Sequence, residues 1–91
     1  MADPMEPYRS TPVFDEATLP ATLRADHRTK AGVWGVIRVL QGDLLLTFAD
    51  GDERRLAPGL DGLLEPERTH RVEPLGSMRM QVDFYDRRPP G

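Results

Sequence analysis

The chain has 91 residues, enough for one small domain with a single core. Its formal net charge is −3 and its arginines are scattered among acidic residues, which argues against a nucleic-acid partner; the absence of cysteine excludes disulfides, thiolate metal sites and a cysteine nucleophile. No apolar run is long enough to span a bilayer and the N-terminus has no signal-peptide pattern, so we expect a cytoplasmic protein with no membrane partner.

The first half of the chain predicts one edge strand, one helical turn and two longer strands. Residues 11–14 are typical of an edge strand that begins near a proline, which has no N–H to donate to a ladder. Residues 16–25 hold one helical turn at most, because Pro20 stops anything longer. Strands are predicted at 33–40 and 43–48, with a Gln-Gly turn between them.

The second half adds a hairpin and an alternating strand. Asp50 and Gly51 form a two-residue hairpin signal, because both residues tolerate positive φ. The last strand, residues 78–85, alternates between apolar and polar residues, as a half-buried antiparallel strand does. Its predicted core face consists of Met78, Met80, Val82 and Phe84.

The spacing of these elements predicts an all-β domain. Six or seven short strands, separated by turns, are typical of an antiparallel barrel or sandwich. We expect this domain to occupy residues 10–86. The ends, residues 1–9 and 87–91, are rich in proline and charge and are predicted to be flexible.

One of the two histidines lies in the segment "EPERTHRVEP", residues 65–74. On an extended strand His70 shares a face with Val72, while the neighbouring arginine and glutamate face water, so His70 is predicted to point inward. A single inward histidine is most often a core residue that bonds to a carbonyl or a carboxylate. The other histidine, His27, lies in a polar segment that resembles a solvated loop.

Three segments together resemble a known family. "STPVFDEATLP", "HRTKAGVWGVIRVLQG" and "EPERTHRVEP…VDFY" are similar to the small cupin domain of the TehB/YeaR type, found in tellurite-resistance-related proteins. The resemblance covers residues 8–86 and implies a small, single-domain, antiparallel and jelly-roll-like β-barrel. Longer relatives join this domain to a methyltransferase, which we do not expect in this chain, so tellurite methylation is not predicted.

The first half of the cupin signature is only partly present. The family pattern has two metal-binding histidines one residue apart, then a glutamate, and then a glycine. Here Gly42 matches the glycine and Gly35 stands at the glutamate position. His27 and Thr29 lie where the histidine pair belongs, with one extra residue in the spacing.

The second half of the signature ends in a metal-binding histidine. Gly59, Glu65, Glu67 and His70 fall on its spacing, with glutamates in place of a proline and a glycine. The resemblance therefore implies a metal on His27 and His70.

Two neutral imidazoles suit a divalent transition metal: zinc, iron, nickel or copper. A carboxylate would complete a three-ligand site, and Glu65 and Glu67 are the candidates. Asp83 ranks last, because the alternation of its strand turns it away from the core.

Three functions are compatible with these residues. The first is a metal-binding cupin in a metalloid or oxidative or nitrosative stress response, with no defined reaction. The second is an iron(II) oxygenase with two histidines and one carboxylate. The third is a small-ligand-binding barrel whose histidines are structural. Enzymatic activity is left open and no catalytic residue is predicted.

The expected partners are a small-molecule or metalloid ligand and a second copy of the chain. Lys30 and Thr29, close to His27, are candidates for contact with an anion. A homodimer is predicted because so small a barrel leaves open strand edges, and because Val13 and Phe14 are apolar residues at its margin.

Overall fold

The computed structural model describes residues 6–89, so the outermost parts of the two predicted flexible ends lie outside the described residues. The described residues form eight strands and one short helix: β1 (Arg9–Ser10), β2 (Phe14–Asp15), α1 (Ala21–Arg24), β3 (Trp34–Gln41), β4 (Leu44–Phe48), β5 (Glu53–Leu56), β6 (Gly62–Leu64), β7 (His70–Pro74) and β8 (Arg79–Tyr85). No helix among residues 6–89 is long and apolar enough to cross a membrane.

The strands form two antiparallel sheets. The first has the order β1-β8-β3-β6, and β2 also pairs with β8; the second has the order β5-β4-β7. The chain passes from one sheet to the other four times: between β3 and β4, between β5 and β6, between β6 and β7, and between β7 and β8. The predicted all-β, cupin-like fold is confirmed, but the two sheets are not closed into one continuous barrel.

The core lies where the apolar faces of the two sheets meet. In β4 the alternate residues Leu44, Leu46 and Phe48 are almost completely buried, and in β8 the same holds for Met80 and Val82. This period of two places one face of each strand in the core and the other face outside. The buried core cluster comprises Leu19, Ile37, Val39, Leu44, Leu46, Phe48, Leu56, Leu64, Val72, Met78, Met80 and Val82.

Gly42 makes the corner between β3 and β4. Its φ is 75°, in the left-handed region that favours glycine. A Cβ atom at this position would overlap the carbonyl oxygen of Ser77 and lie 2.9 Å from the Cα of Met78. Glycine is therefore required here both by backbone conformation and by the close approach of the chain before β8.

The N-terminal segment runs along one edge of β8. The N–H of Thr11 donates to the carbonyl of Val82 (2.9 Å), and its hydroxyl accepts from the N–H of Val82 (3.0 Å). Of the edge strand predicted at residues 11–14, only Phe14 lies in a strand: β1 ends at Ser10 and β2 begins at Phe14, with Pro12, which has no N–H to donate, between them. The predicted helical turn is present as α1, which starts directly after Pro20.

The predicted hairpin at Asp50 and Gly51 joins β4 to β5. The N–H of Phe48 donates to the carbonyl of Asp52 at 2.8 Å, which leaves residues 49–51 as a three-residue loop. The turn is therefore one residue longer than the predicted two-residue turn: Gly51 has a positive φ of 96°, but Asp50 does not have positive φ.

Candidate functional site

The structure brings His27 and His70 together. Their backbones form an isolated antiparallel bridge, in which the N–H of His27 donates to the carbonyl of His70 (2.8 Å) and the N–H of His70 donates to the carbonyl of His27 (2.7 Å). The centres of the two imidazole rings are 5.7 Å apart, with the ring planes at 83°. The segment before β3 thus extends the second sheet by one residue at β7.

His70 points into the protein, as the alternation of its strand predicts. It is 2% exposed, and Val72 on the same face is also buried, while Arg71 and Glu73 are exposed. Burial lowers the pKa of His70, a hydrogen bond to the carbonyl of Arg68 partly opposes this effect, and the charge of His27 lowers the pKa further. A depressed pKa keeps the imidazole neutral at neutral pH, the form that binds metals.

The hydrogen bond of the His70 ring fixes its tautomer. Nδ1 lies 3.1 Å from the carbonyl oxygen of Arg68, and only a protonated nitrogen donates to a carbonyl. In the neutral ring Nε2 then carries the lone pair. Metal-binding histidines in proteins commonly hold their second nitrogen to a carbonyl in this way.

Both histidines line a small internal cavity of about 50 Å³. Thr29 borders it beside them, and the rest of its wall is mainly apolar. His27 and His70 are therefore the titratable residues in a cavity whose lining is otherwise mainly apolar. The apolar lining residues are Leu23, Ile37, Leu64, Val72, Met80, Val82 and Phe84.

Arg68 contacts side chains next to the two histidines. Its guanidinium carbon lies 3.6 Å from the ring centre of Phe48, and its Nη2 pairs with Asp50 at 2.8 Å. The Phe48 ring packs against the ring of His70, with centres 6.4 Å apart. Arg68 thus ties the β4–β5 loop to the segment that carries His70, a role that the sequence alone did not reveal.

The predicted carboxylates do not join the two histidines. Glu65 is exposed and its Oε1 pairs with Nη1 of Arg68 at 3.3 Å. Glu67 is also exposed. Within residues 6–89 there is no group of three or more His, Cys, Asp or Glu side chains arranged to hold a metal ion. The third ligand of the predicted site therefore stays a prediction.

Asp83 is occupied elsewhere. It accepts a hydrogen bond from Ser10 Oγ at 2.7 Å and pairs with Arg38 Nε at 2.9 Å. Val36, its partner in the ladder, lies on the outer face of the first sheet. Both carboxylate oxygens of Asp83 thus contact protein partners.

Two positions of the cupin signature hold residues that are not metal ligands. Thr29, at a histidine position of the signature, is buried and its hydroxyl donates to the carbonyl of Val33 at 2.7 Å. At the glutamate position, a Cβ on Gly35 would lie 3.1 Å from Cδ1 of Leu64. Leu64 fills the space that a longer side chain at this position would need.

The fold and the paired histidines define a small cupin-like β domain with a histidine-containing cavity. The TehB-like domain model matches residues 9–82, so the chain belongs to the TehB-like family.

The relatives include longer proteins. A probable S-adenosyl-L-methionine-dependent methyltransferase TehB from Haemophilus influenzae is 33% identical over 85 residues, which are 86% of this chain and 30% of the relative. The crystal structure of TehB from Haemophilus influenzae superposes with a TM-score of 0.78 at 32% identity, over 86% of this chain and 30% of that one. The chain thus spans about 30% of the length of the curated relatives it matches.

A second similar structure is of a protein that matches this chain along almost its whole length. A protein of Escherichia coli K12 has a TM-score of 0.80 at 23% identity, covering 100% of this chain and 99% of that one. At this identity the likeness demonstrates the shared fold.

Proposed function

We propose that this domain binds a divalent transition metal through His27 and His70. The observation that carries the proposal is the reciprocal backbone pairing of the two histidines, which holds their rings 5.7 Å apart at one cavity. Metal–nitrogen bonds are about 2.0–2.1 Å long, so two imidazoles at this separation lie within reach of one ion after small side-chain rotations.

The chemistry of the donors supports this proposal. Both groups are imidazoles, the ligands that zinc, iron(II), nickel and copper accept, and the hydrogen bond of Nδ1 to Arg68 leaves Nε2 of His70 as the ligand atom. When bound, the metal would offer further coordination positions to water or a small ligand. Glu65 and Glu67 are the proposed sources of a third protein ligand, and Glu65 would first have to leave Arg68.

An oxygenase is supported less well. A two-histidine-one-carboxylate iron site needs a carboxylate beside both imidazoles. The part of the chain that the structure describes contains no such three-residue group. Metal binding without a defined reaction is therefore the function we propose.

The biological role proposed here follows the family. Because the TehB/YeaR-type family is tellurite-resistance-related, we propose that the domain acts in a response to metalloid or oxidative or nitrosative stress. The methyltransferase activity in the name of the TehB relatives describes proteins of which this chain covers 30%. We do not extend it to this domain.

A metal analysis of protein purified without a histidine tag tests the proposal. We expect close to one equivalent of a transition metal per chain, or one equivalent of zinc taken up by dialysed protein. His27→Ala and His70→Ala should each abolish this binding. Glu73→Ala is the matched control, because Glu73 is an exposed residue on the outer face of β7. Metal-free protein that takes up no zinc, nickel, copper or iron(II) would refute the proposal.

A further inference from the structure

A surface groove of about 240 Å³ lies against the histidine cavity. His27, Thr29 and Phe84 line both the groove and the cavity, so these three residues form the boundary between them. The groove therefore lies directly outside the internal cavity, and we call it the mouth. A ligand that occupied both would have one end among apolar side chains and the other end near solvent.

The mouth is strongly cationic. Arg9, Arg28 and Lys30 line it, and no acidic residue among the described part of the chain does. Within residues 6–89 none of these three cations has a carboxylate oxygen within 4.0 Å, although several other arginines of the protein are in ion pairs. Three positive charges at one opening, unpaired with any carboxylate of residues 6–89, contrast with the net charge of −3 of the whole chain.

The loop that carries two of the cations is held in place by hydrogen bonds. The hydroxyl of Thr29 donates to the carbonyl of Val33 (2.7 Å), and the N–H of Val33 donates to the carbonyl of Lys30 (3.0 Å). Thr29 is buried, while Arg28 and Lys30 on either side of it are exposed. Because exposed and buried residues alternate here, Arg28 and Lys30 both face the groove while Thr29 holds the loop in place.

The third cation comes from β1. The guanidinium carbon of Arg9 lies 4.9 Å from the ring centre of Phe84, a residue on the boundary between groove and cavity. Arg9 pairs with Phe84 across the ladder, so its position is fixed by the sheet. Charges from two separate parts of the chain thus converge on one opening.

We propose that this opening binds a small organic anion, specifically a monocarboxylate with a short aliphatic tail. The carboxylate would lie among Arg9, Arg28 and Lys30, and the tail would enter the apolar cavity. An inorganic oxyanion has no apolar part to occupy the cavity, and a neutral ligand gains nothing from the cations. The inference goes beyond the proposed function, since it needs no metal on the histidines.

Titration of the protein with butyrate, followed by amide chemical shifts in the presence of chelator, tests this inference. We expect saturable shifts at Thr29, His70 and Phe84, and at least tenfold weaker binding of the neutral isostere butyramide. Acetate, which lacks two methylenes, should bind about tenfold more weakly than butyrate. Added sodium chloride should weaken the binding, because exposed charges are screened.

Charge variants locate the site. Arg28→Gln and Lys30→Gln should each weaken butyrate binding by at least about threefold, and the double variant by at least tenfold. Arg79→Gln is the matched control, because it removes one exposed arginine at the other end of β8. Equal binding of butyrate and butyramide, or equal affinity of the double variant and the control, would overturn the inference.

The butyrate experiment can succeed or fail independently of the metal-binding experiment. Butyrate binding in chelator by a protein that takes up no metal would uphold this inference and refute the metal site. Butyrate binding that requires zinc and disappears with chelator would show that the anion coordinates the metal, and would overturn the role of the cationic mouth.

Discussion

The backbones of His27 and His70 each donate a hydrogen bond to the other's carbonyl, at 2.8 and 2.7 Å. The proximity of the two rings is thus set by main-chain pairing and needs no bound ligand. Loss of either side chain leaves these two hydrogen bonds intact. Substitutions at the two positions therefore test ligand binding without removing the connection between the segment before β3 and β7.

Metal binding should raise the thermal stability of the protein. A ligand specific for the native state stabilises it by about 2.7 kcal/mol at a hundred times its dissociation constant. In a domain of this size about 1 kcal/mol shifts the Tm by roughly 4–8 °C, so chelator should lower the Tm by on the order of 10–20 °C. Thermal unfolding with chelator and with saturating zinc measures this shift. His70→Ala should remove it, and an identical Tm under both conditions would exclude the site.

Acid should destabilise the metal-free protein through His70. Burial depresses the pKa of His70 in the folded state below the ordinary value of 6.5. Between the two pKa values the unfolded chain binds more protons, so the free energy of unfolding falls as the pH is lowered through and below about 6.5. Above that pH the contribution is fully present.

Urea denaturation in chelator, in steps between about pH 5.5 and 7.5, measures this effect. The pKa values of Asp15 and Asp50 are held below 3.8 by hydrogen bonds from neighbouring backbone N–H groups, so these carboxylates titrate at lower pH. His70→Gln should flatten the profile. A wild-type profile without slope in this range would show that His70 is not desolvated.

The core strands could be predicted because their patterns are local. In β7 the alternation of His70 and Val72 with exposed neighbours already assigns the inward face, and the structure confirms it. The alternation in β8 likewise identifies Met80 and Val82 as core. A period of two depends only on adjacent residues, so one sequence is enough to read it.

The contacts of the site could not be predicted in the same way, because they join distant segments. His27 lies in a segment without periodicity, and only its pairing with β7 brings it to the cavity. Asp83 stands on the face predicted to be polar, yet it is buried, because Ser10 and Arg38 contact it from neighbouring strands. Arg68, which precedes β7, reaches Phe48 and Asp50 in the neighbouring β4–β5 hairpin. None of these partners is adjacent in sequence.

A second imidazole at the first half of the signature should strengthen metal binding. Thr29 lines the cavity and its mouth beside His27, so Thr29→His would add a ligand where the cupin pattern has a histidine. We expect zinc affinity to rise at least tenfold by calorimetric titration. The metal-free variant should lose about 1 kcal/mol of stability with the hydrogen bond to Val33. Thr29→Phe, which has a ring but no ligand atom, should not bind zinc more tightly; equal affinities for both variants would contradict the shared site.

We predict a homodimer. β6 is at one edge of the first sheet, and Val13, beside β2 at the opposite margin, is 48% exposed. Open strand edges are commonly covered by a second copy of the chain. Light scattering at high micromolar concentration should return twice the chain mass of 10.2 kDa. Val13→Asp should shift the equilibrium towards monomer, and a monomer mass for the wild type would refute the prediction.

Among residues 6–89, Glu67 is the one non-glycine residue with a positive φ, at 63°. It stands at the position where the cupin signature has a glycine. Left-handed backbone is unfavourable for a residue with a Cβ by roughly 1–2 kcal/mol, partly offset by the greater freedom of glycine in the unfolded chain. Glu67→Gly should therefore stabilise the metal-free protein by about 0.5–1 kcal/mol, since the N–H that donates to Thr29 is retained. If Glu67 is a metal ligand, the same substitution should weaken zinc binding by at least tenfold.

Urea denaturation in chelator and zinc titration of the same samples separate these two effects, which have opposite signs. Gly59→Ala is the mirror control: Gly59 has a φ of 88° and open space around it, so only the backbone effect remains. That variant should lose about 0.5–1 kcal/mol without a change in zinc affinity. A Glu67→Gly variant that is less stable without metal would mean that the Glu67 side chain stabilises the loop. Unchanged zinc affinity in that variant would exclude Glu67 as a ligand and leave Glu65 as the remaining candidate carboxylate.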